Sequence, residues 1–284
     1  MEDKFIAQFE NGVKETIEKY NLISRNDRVM VACSGGKDST TTLFLLKKFG
    51  YDVEAMTIDL LIGEWSRKNL GNIRSFCSDM GVKLHVISMR EEFGCSICYI
   101  RSGVQSKVKL GNCAICGVIK RWILNKRARE LGATRLATGH NLDDEAETML
   151  MTMFRGKPDI MMNSGPISTG NPDDRFVPRI KPLYFCTNDE IRKYSKKKKF
   201  PVLYDPCPCS VGTYRRYVRA MLADIESKTP GAKENIVNNF LKVLPALREY
   251  SESSGKVSHC EICDEPCRNK ICRRCKLSKI VWDK

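Results

Sequence analysis

The stretch VMVACSGGKDS, residues 29–39, decides the fold of this chain. Its apolar first half predicts a buried parallel strand, and the apolar residues that follow Ser39 predict a helix. A strand, a glycine turn and a helix N-terminus together form an anion site, because backbone N–H groups point outward and the helix dipole favours negative charge. The spacing of a Walker A motif is absent. Two glycines alone would indicate only a turn, but together with Lys37 and two serines they favour phosphate binding.

Alternating strands and helices extend from this stretch in both directions. The predicted strands cover about 28–33, 53–59, 83–88 and 135–139, and the predicted helices about 4–20, 40–49, 65–80, 118–131, 143–154, 188–199 and 213–250. This alternation predicts a doubly wound parallel α/β sheet, in which ligands bind at the carboxyl ends of the strands. The segment 94–116 is rich in small, polar and cysteine residues and shows no clear period. We therefore expect it to be a site segment rather than scaffold.

The composition indicates a nucleic-acid partner. The chain has 284 residues, of which 48 are Lys or Arg and 34 are Asp or Glu, so its formal charge is +14. The plain interpretation is solubility, but such an excess more often accompanies a polyanion, and nucleic acid is the commonest. The sequence shows no apolar stretch of membrane-spanning length and no apolar signal core near Met1. We therefore expect a cytoplasmic protein without membrane contact.

The 14 cysteines indicate metal binding rather than disulfides, because a cytoplasmic chain keeps its thiols reduced. Most of them fall in CxxC pairs, whose short gap lets both sulfurs face one metal. The pairs are Cys95–Cys98, Cys113–Cys116, Cys260–Cys263 and Cys272–Cys275. The last two pairs enclose a short basic loop and predict a structural zinc site on their four thiolates. Cys267 competes for one of these ligand positions.

A second motif, ATGHNLDDEAET at residues 137–148, gives the first one a specific meaning. Its acidic residues alone would be ordinary helix-capping residues. Together with SGGKDS, however, it resembles the N-type ATP pyrophosphatases, or PP-loop proteins, and among them the tRNA-thiolating TtcA/TtuA family. Supporting stretches are IDL at 58–60, CAICG at 113–117, RIKPL at 179–183 and CPCS at 207–210. The C-terminal CxxC pairs favour the branch of TtuA and the archaeal and eukaryotic wobble-uridine thiolases.

The resemblance implies a parallel sheet of the PP-loop ATP pyrophosphatase type, followed by a helical C-terminal region and a small zinc module. The expected regions are an N-terminal helix at 1–24, a PP-loop domain with an inserted cysteine-rich segment at 25–210, a helical tRNA-binding extension at 211–255 and a zinc module at 256–284. A long loop is predicted at 156–180 and a linker at 251–255. The N-terminal zinc module that is usual in the TtuA-like branch is expected to be absent.

The resemblance also implies an enzyme that splits ATP between its α- and β-phosphates and adenylates a substrate oxygen. Mg²⁺ is the expected second cofactor, since it prefers carboxylate oxygens, water and phosphate. Asp38, Asp143 and Asp144 are its candidate ligands, and the last two are candidate catalytic residues. The candidate ATP-binding residues are Ala32, Ser34, Gly35, Gly36, Lys37, Asp38, Ser39, Asp59, Gly139 and His140.

For the sulfur, the resemblance assigns Cys113, Cys116 and Cys207 to a [4Fe-4S] cluster, whose open iron would deliver sulfide. Lys120 follows Cys116 by one helical turn, and the resemblance makes it a catalytic candidate. By spacing alone, a zinc ribbon is the alternative. Its ligands would be Cys95, Cys98, Cys113 and Cys116. The first CxxC pair departs from the family pattern, and so does Cys209, which stands where an aromatic residue is usual.

The combined prediction is ATP-dependent 2-thiolation of a tRNA uridine, with the wobble uridine favoured over a T-loop uridine or a cytidine. Sulfide or a thiocarboxylated ubiquitin-like partner would supply the sulfur, and the family implies a homodimer. The rivals are a cluster-free ligase or amide-forming synthetase of the same fold, and a zinc-bearing RNA-binding subunit that is no enzyme. The predicted tRNA-binding residues are Arg155, Arg179, Arg215, Arg216 and Arg219.

Overall fold

The computed structural model describes residues 4–156, 161–162, 164–168, 173–252 and 257–282. Its central sheet consists of β1 Val29–Ala32, β2 Val53–Asp59, β3 Leu84–Ser88, β4 Arg135–Ala137 and β5 Arg179–Ile180. The order across the sheet is β3-β2-β1-β4-β5, and every pairing is parallel. The predicted doubly wound α/β fold is therefore confirmed.

Helices cover both faces of this sheet. In chain order they are α1 Lys4–Lys19, α2 Lys37–Lys48, α3 Gly63–Asp79, α4 Met89–Phe93, α5 Ile97–Gln105, α6 Asn112–Glu130, α7 Leu142–Phe154, α8 Asn188–Lys197, α9 Tyr214–Lys228, α10 Ala232–Glu252 and α11 Arg273–Trp282. Val29 and Val31 of β1 pack with α1, α2, α3 and α8. Met30 packs with α4, α5, α6 and α11 on the other face, as the alternation of side chains along a strand requires.

The segment 94–116 contains more regular structure than its sequence predicts. It includes all of α5 and the first turn of α6, so the expectation of a segment that is not scaffold is wrong. Ile97, Ile100 and Val104 are fully buried, and their helical spacing builds one wall of the second core. The cysteines between them obscure this apolar pattern in the sequence.

The strand order reverses between β1 and β4. The chain leaves β1 toward β2 and β3 and then returns to pair β4 with the opposite edge of β1. Val31 lies opposite Ala137, so the two strands end side by side. Ligands of open α/β sheets bind at such a switch point. The loops that leave β1 and β4 are SGGKDS and GHN, the two motifs that the sequence singles out.

The helical region packs against the outer side of α7. Val218 of α9 and Val237 of α10 are buried with Met149 of α7 in a third apolar cluster. The loop predicted at 156–180 and the linker predicted at 251–255 lie partly outside the described residues. Within the former, Ile167 forms an isolated bridge with Ile180 of β5. In the described part of the chain, no helix is long and apolar enough to cross a membrane.

The C-terminal module is docked on the main domain. Strands β6 Ser258–His259 and β7 Pro266–Cys267 form an antiparallel pair, and α11 packs on α5 and α6. Leu277 of α11 is buried in the second core. Glu265 is also buried and receives two hydrogen bonds from the Arg129 guanidinium of α6.

Helix α1 belongs to the same packed core, and its stability contribution can be measured. Ile17 is 1% exposed and packs in the first core, so Ile17→Ala should lower the free energy of unfolding by about 2–5 kcal/mol. Lys14→Ala on the exposed face of the same helix should change it by less than about 0.5 kcal/mol. Denaturant unfolding of both variants tests this. Equal, small effects would mean that α1 contributes little to the core.

Candidate active site and metal centre

The loop after β1 is pre-shaped for an anion. The Ser39 hydroxyl donates to the Gly36 carbonyl at 3.1 Å and accepts from the Ser34 N–H at 3.1 Å. Gly35 has a φ of +80°, and a Cβ there would lie 2.7 Å from Oδ1 of Asn69. No side chain caps α2 at Gly36, so the first N–H groups of the helix are left for a ligand.

Gly139 brings the two motifs into direct contact. A Cβ at this position would lie 2.7 Å from the carbonyl carbon of Asp38 and from the nitrogen of Ser39. Only glycine allows this approach, because the atoms it meets are backbone. Asn141 adds a hydrogen bond from its Nδ2 to Oδ1 of Asp38 at 3.1 Å, and it also caps α7 by accepting from the N–H of Asp144.

Lys37 is buried at the start of α2 and makes two close contacts. Its Nζ donates to Oδ1 of Asp38 and to Oδ1 of Asn188, both at 2.5 Å. The N–H of Asn188 donates to Oδ2 of Asp143 at 2.7 Å. Asn188 therefore joins the lysine of the first motif to a carboxylate of the second. Sequence reasoning missed it, although the capping box of Thr187 and Glu190 marks the helix start that positions it.

The predicted magnesium ligands lie around this junction. Oδ1 of Asp143 accepts from Lys233 of α10 at 2.6 Å, while Asp144 lies 3.6 Å from Arg219 and 3.8 Å from Arg215. Burial raises the pKa of Asp144 to about 6, and the nearby Asp38 charge contributes in the same direction. The three carboxylates do not close a cage around one ion by themselves. They fit Mg²⁺ nevertheless, since it keeps water and phosphate oxygens among its ligands.

His140 is held neutral. Its Nδ1 lies 2.8 Å from Oγ1 of Thr138, and burial together with the positive charges of Lys181 and Arg215 lowers its pKa to about 3. A neutral imidazole can hydrogen-bond to a nucleotide without adding charge. The other predicted strand-end residues lie nearby in the topology: Ala32 ends β1, and Asp59 ends β2 with Oδ1 accepting from the N–H of Leu61.

The arginines predicted to bind tRNA have different surroundings. Arg215 and Arg219 both donate to the buried carboxylate of Glu147, at 2.9 and 2.5 Å, so they join α9 to α7. Arg155 lies 4.6 Å from the ring centre of Tyr214. Arg216 is exposed. Their role in tRNA binding stays a prediction.

A group of cysteines meets where α5, α6 and a short 3-10 helix at Pro208–Ser210 come together. Nδ2 of Asn112, the first residue of α6, donates to the carbonyl of Cys209 at 3.3 Å. The thiols that influence one another are those of Cys98, Cys113, Cys116, Cys207 and Cys209. The structure thus brings together the three predicted cluster ligands, and it adds Cys98 and Cys209.

The spacing of these sulfurs bears on the zinc ribbon alternative. Among the described residues, the four C-terminal cysteines are the only group of three or more His, Cys, Asp or Glu side chains whose ligand atoms all lie within 4.8 Å of one another. The quartet of the zinc ribbon alternative is therefore not gathered around one ion. Cys95 packs in the second core, and no neighbouring thiol is among the causes that raise its pKa. A multi-iron cluster is larger than one ion and takes wider ligand spacing, so the assignment of Cys113, Cys116 and Cys207 to a cluster stays a prediction.

Lys120 is close enough for its charge to act on both this cysteine group and the second motif. Burial raises the pKa of Cys116, and the Lys120 charge opposes that increase. The same charge is one of the causes that lower the pKa of His140. The half-buried Lys120 is therefore within electrostatic reach of both halves of the candidate site.

The C-terminal cysteines form a separate candidate metal centre. Backbone N–H groups of Cys272 and Cys275 donate to the sulfurs of Cys260 and Cys272, both at 3.3 Å. Burial raises the pKa of Cys260, but hydrogen bonds from backbone N–H groups outweigh it and leave the pKa at about 6. Four cysteine thiolates suit tetrahedral zinc. Cys267 lies outside the group, since its thiol donates to the carbonyl of Asn269 at 2.7 Å.

Comparisons with known proteins agree with this geometry. The family described as the PP-loop domain matches residues 2–225. A tRNA-5-methyluridine(54) 2-sulfurtransferase of Pyrococcus horikoshii is 34% identical over 97% of this chain and 86% of its own. Cytoplasmic tRNA 2-thiolation protein 1 of Caenorhabditis briggsae is 33% identical over 96% of this chain and 73% of its own. The structure of U34-tRNA thiolase NcsA from Methanococcus maripaludis, with its [4Fe-4S] cluster, aligns at a TM-score of 0.80 and 25% identity, over 97% of this chain and 87% of that one.

The fold, the two contacting motifs and the matching domain define a PP-loop protein. Within that class, the chain belongs to the family of PP-loop tRNA thiolation proteins. It is a sulfurtransferase, and its reaction is the 2-thiolation of tRNA.

The contact at Gly139 predicts that Gly139→Ala weakens ATP binding. The new methyl group would overlap the backbone of α2, which must shift away from β4 and distort the anion loop. We expect the dissociation constant for ATP to rise about tenfold or more, equivalent to about 1.4 kcal/mol. Gly71→Ala on α3 is the control, because a Cβ there meets nothing within 4 Å. Isothermal titration of both variants with ATP checks this, and equal affinities would contradict it.

The zinc assignment predicts different effects of two neighbouring substitutions. Cys263→Ser removes one sulfur of the C-terminal group, so the protein should lose the zinc and with it the fold of the module. Cys267→Ser should retain the zinc, because Cys267 is outside that group. Elemental analysis of the purified variants gives the result. Loss of zinc from the Cys267 variant would show that the ligand set is wrong.

Proposed function

We propose that this sulfurtransferase adenylates the C2 oxygen of the wobble uridine with ATP and replaces it by sulfur delivered through a [4Fe-4S] cluster. The observation that carries the proposal is the position of Lys120, within electrostatic reach of Cys116 on one side and His140 on the other. If the target uridine lies beside Lys120, its C2 oxygen can be adenylated from the nucleotide side, and sulfur from the cysteine side can then attack C2. The nucleotide site and the cysteine group then serve one reaction.

The loop after β1 and Lys37 hold and orient the triphosphate. The free N–H groups of α2 face the phosphates, and the Lys37 ammonium offsets charge as pyrophosphate leaves. The uridine oxygen attacks the α-phosphate, and the bond between the α- and β-phosphates breaks. Asp38, Asp143 and Asp144 would hold Mg²⁺, which supplies further positive charge to the pyrophosphate.

Lys37 and Asp143 each have a contact that a bound ATP and its cation would displace. Lys37 is bound to Asn188, and Asp143 to Lys233, so each group already has a partner of complementary charge or polarity. A phosphate that binds Lys37 would replace its contact with Asn188, and a cation that binds Asp143 would replace its contact with Lys233. Neither charged side chain is therefore without a partner before ATP binds. Asn188 and Lys233 thereby hold the site in order before the nucleotide arrives.

Cys113, Cys116 and Cys207 would hold the cluster, which supplies a nucleophilic sulfur when it is bound. The Lys120 ammonium stabilises the negative charge that develops as sulfur adds to C2. The bond from C2 to oxygen then breaks, and AMP leaves with that oxygen. Thiouridine and AMP are the products, and no net electron transfer is needed if the sulfur enters as sulfide.

The wobble position is supported by the alignment with the solved U34-tRNA thiolase, which covers 97% of this chain. A second candidate is the T-loop uridine, since the relative from Pyrococcus horikoshii is named for position 54. Mass spectrometry of nuclease fragments from tRNA treated with the protein distinguishes them. Sulfur in the anticodon-loop fragment supports the first, and sulfur in the T-loop fragment supports the second.

Further parts of the proposal concern partners and regions. Sulfide or a thiocarboxylated ubiquitin-like protein supplies the sulfur, the protein acts as a homodimer in the cytoplasm, and the region 211–255 contributes to tRNA binding. The +14 formal charge and the name of the Caenorhabditis briggsae relative, cytoplasmic tRNA 2-thiolation protein 1, support the tRNA and the compartment. Sedimentation analysis tests the homodimer, and thiolation assays with each sulfur source test the sulfur donor.

Substitutions of Lys120, Cys113 and Cys95 test the proposed site. Lys120→Ala should keep its iron but lower the thiolation rate by about 10²–10³, because charge stabilisation at C2 is lost. Cys113→Ser should lose iron and thiolation together. Cys95→Ser should keep both, because no neighbouring thiol shifts the pKa of Cys95, whereas the other thiols affect one another. The measurements are iron and sulfide content after anaerobic purification, visible absorption, and thiouridine by mass spectrometry.

Lys126→Ala is the matched control on the same helix. Lys126 lies over the Trp122 ring at 5.0 Å, and its charge is not among the causes that shift the pKa of Cys116 or His140. It should leave iron and activity unchanged. A colourless wild-type protein that loses zinc on Cys95→Ser would support the zinc alternative instead. A Lys120→Ala protein with intact iron and full activity would remove that residue from the mechanism.

A further inference from the structure

Three arginines from three separate parts of the fold meet beside the cysteine group. Arg121 is on α6, directly after Lys120, Arg179 begins β5, and Arg273 begins α11 in the C-terminal module. Nη2 of Arg179 donates to the carbonyl of Arg121 at 3.4 Å. Arg273 lies close enough for its charge to lower the pKa of Arg121, in addition to the effect of burial. We call these residues the arginine cluster.

The Arg121 side chain extends toward the cysteines. A Cβ at Gly117, one turn earlier on α6, would lie 3.0 Å from Nη1 of Arg121. The guanidinium therefore lies over Gly117, next to the CxxC pair at the start of the helix, and the negative charge of a Cys116 thiolate reaches it. Arg121 nevertheless remains exposed to solvent, so the cluster is accessible.

The cluster is short of negative charge. Among the described residues, no carboxylate forms an ion pair with any of its three guanidinium groups. Other arginines on α6 and before β5 do have such partners, which are Glu92 for Arg127, Glu265 for Arg129 and Asp264 for Arg175. Burial lowers the pKa of Arg179 to about 10, and the nearby Arg121 charge adds to this effect. Like charges held together in this way are stabilised when an anion binds between them.

The position of the cluster indicates which anion. Arg121 borders the cysteine side of the candidate site, and the charge of Arg179 reaches His140 on the nucleotide side. A target base between Cys116 and His140 carries its own sugar-phosphate backbone to this place. Guanidinium groups suit phosphate, since their N–H groups bind two phosphate oxygens at once.

We propose that Arg121, Arg179 and Arg273 bind a backbone phosphate of the tRNA next to the nucleotide that is thiolated. This inference rests on the proposed function, because it takes tRNA as the substrate at this site. It also connects the C-terminal metal module to the tRNA. Arg273 directly follows Cys272, so a metal bound there would fix the third arginine against α6.

The test measures binding of unmodified tRNA, without ATP, over a series of salt concentrations by fluorescence anisotropy. Arg121→Gln and Arg273→Gln should each weaken binding at low salt by about tenfold and reduce the log–log salt slope by about 0.7, the value for one lost single-strand phosphate contact. Arg25→Gln is the control. Arg25 is exposed and precedes β1, so it lies near the amino ends of the strands, whereas the site lies at their carboxyl ends.

Iron, zinc and ATP affinity are measured on the same variants. Unchanged values with a reduced slope support the inference. A salt slope equal to that of Arg25→Gln would overturn the inference. Loss of iron or of ATP affinity with tRNA binding intact would also overturn it. In that case the arginines would serve the cysteine thiolates or the ATP phosphates. A wild-type protein that binds no tRNA would instead overturn the proposed function itself.

Discussion

The close approach of Gly139 to the backbone of Asp38 and Ser39 is the contact on which the rest of the site depends. It follows from the parallel pairing of β1 with β4, which ends both strands at the same edge where the strand order reverses. With no side chain between them, the loop after β4 lies against the first turn of α2. The acidic first turn of α7, which follows this loop, therefore lies next to the phosphate-binding loop.

The acidic residues of helix α7 form ion pairs with the elements that surround it. Asp143 is bound to Lys233 of α10, Glu145 to Lys181 beside β5, and Glu147 to Arg215 and Arg219 of α9; Asp144 lies within ion-pair distance of the same two arginines. Glu145 and Glu147 are almost fully buried, so loss of a partner would leave a buried charge at a cost of about 3–5 kcal/mol. The helical region is therefore joined to the nucleotide site by charge as well as by apolar packing.

The sequence predicts the framework well because hydrophobic periodicity and glycine turns are local signals. The strand at 53–59 has the predicted bounds, and the two motifs lie at the strand ends where a parallel sheet binds ligands. Long-range partners leave no such signal. Asn188 and Lys233 are 151 and 90 residues from the side chains they contact, and the capping box around Asn188 marks a helix start but not this contact. In the segment 94–116, cysteines that serve a site interrupt the apolar spacing that builds α5, and the helix is missed.

The central claim is that the ATP loop and the cysteine group act on the same uridine carbon. Transfer of a heavy oxygen isotope tests it directly, with tRNA labelled at the C2 oxygen of the target uridine and one anaerobic turnover with ATP and sulfide. Our account predicts that the label appears in AMP, in equal amount to the thiouridine formed, and is absent from pyrophosphate. Unlabelled AMP alongside thiouridine would contradict it, because the C2 oxygen would then leave without having been adenylated.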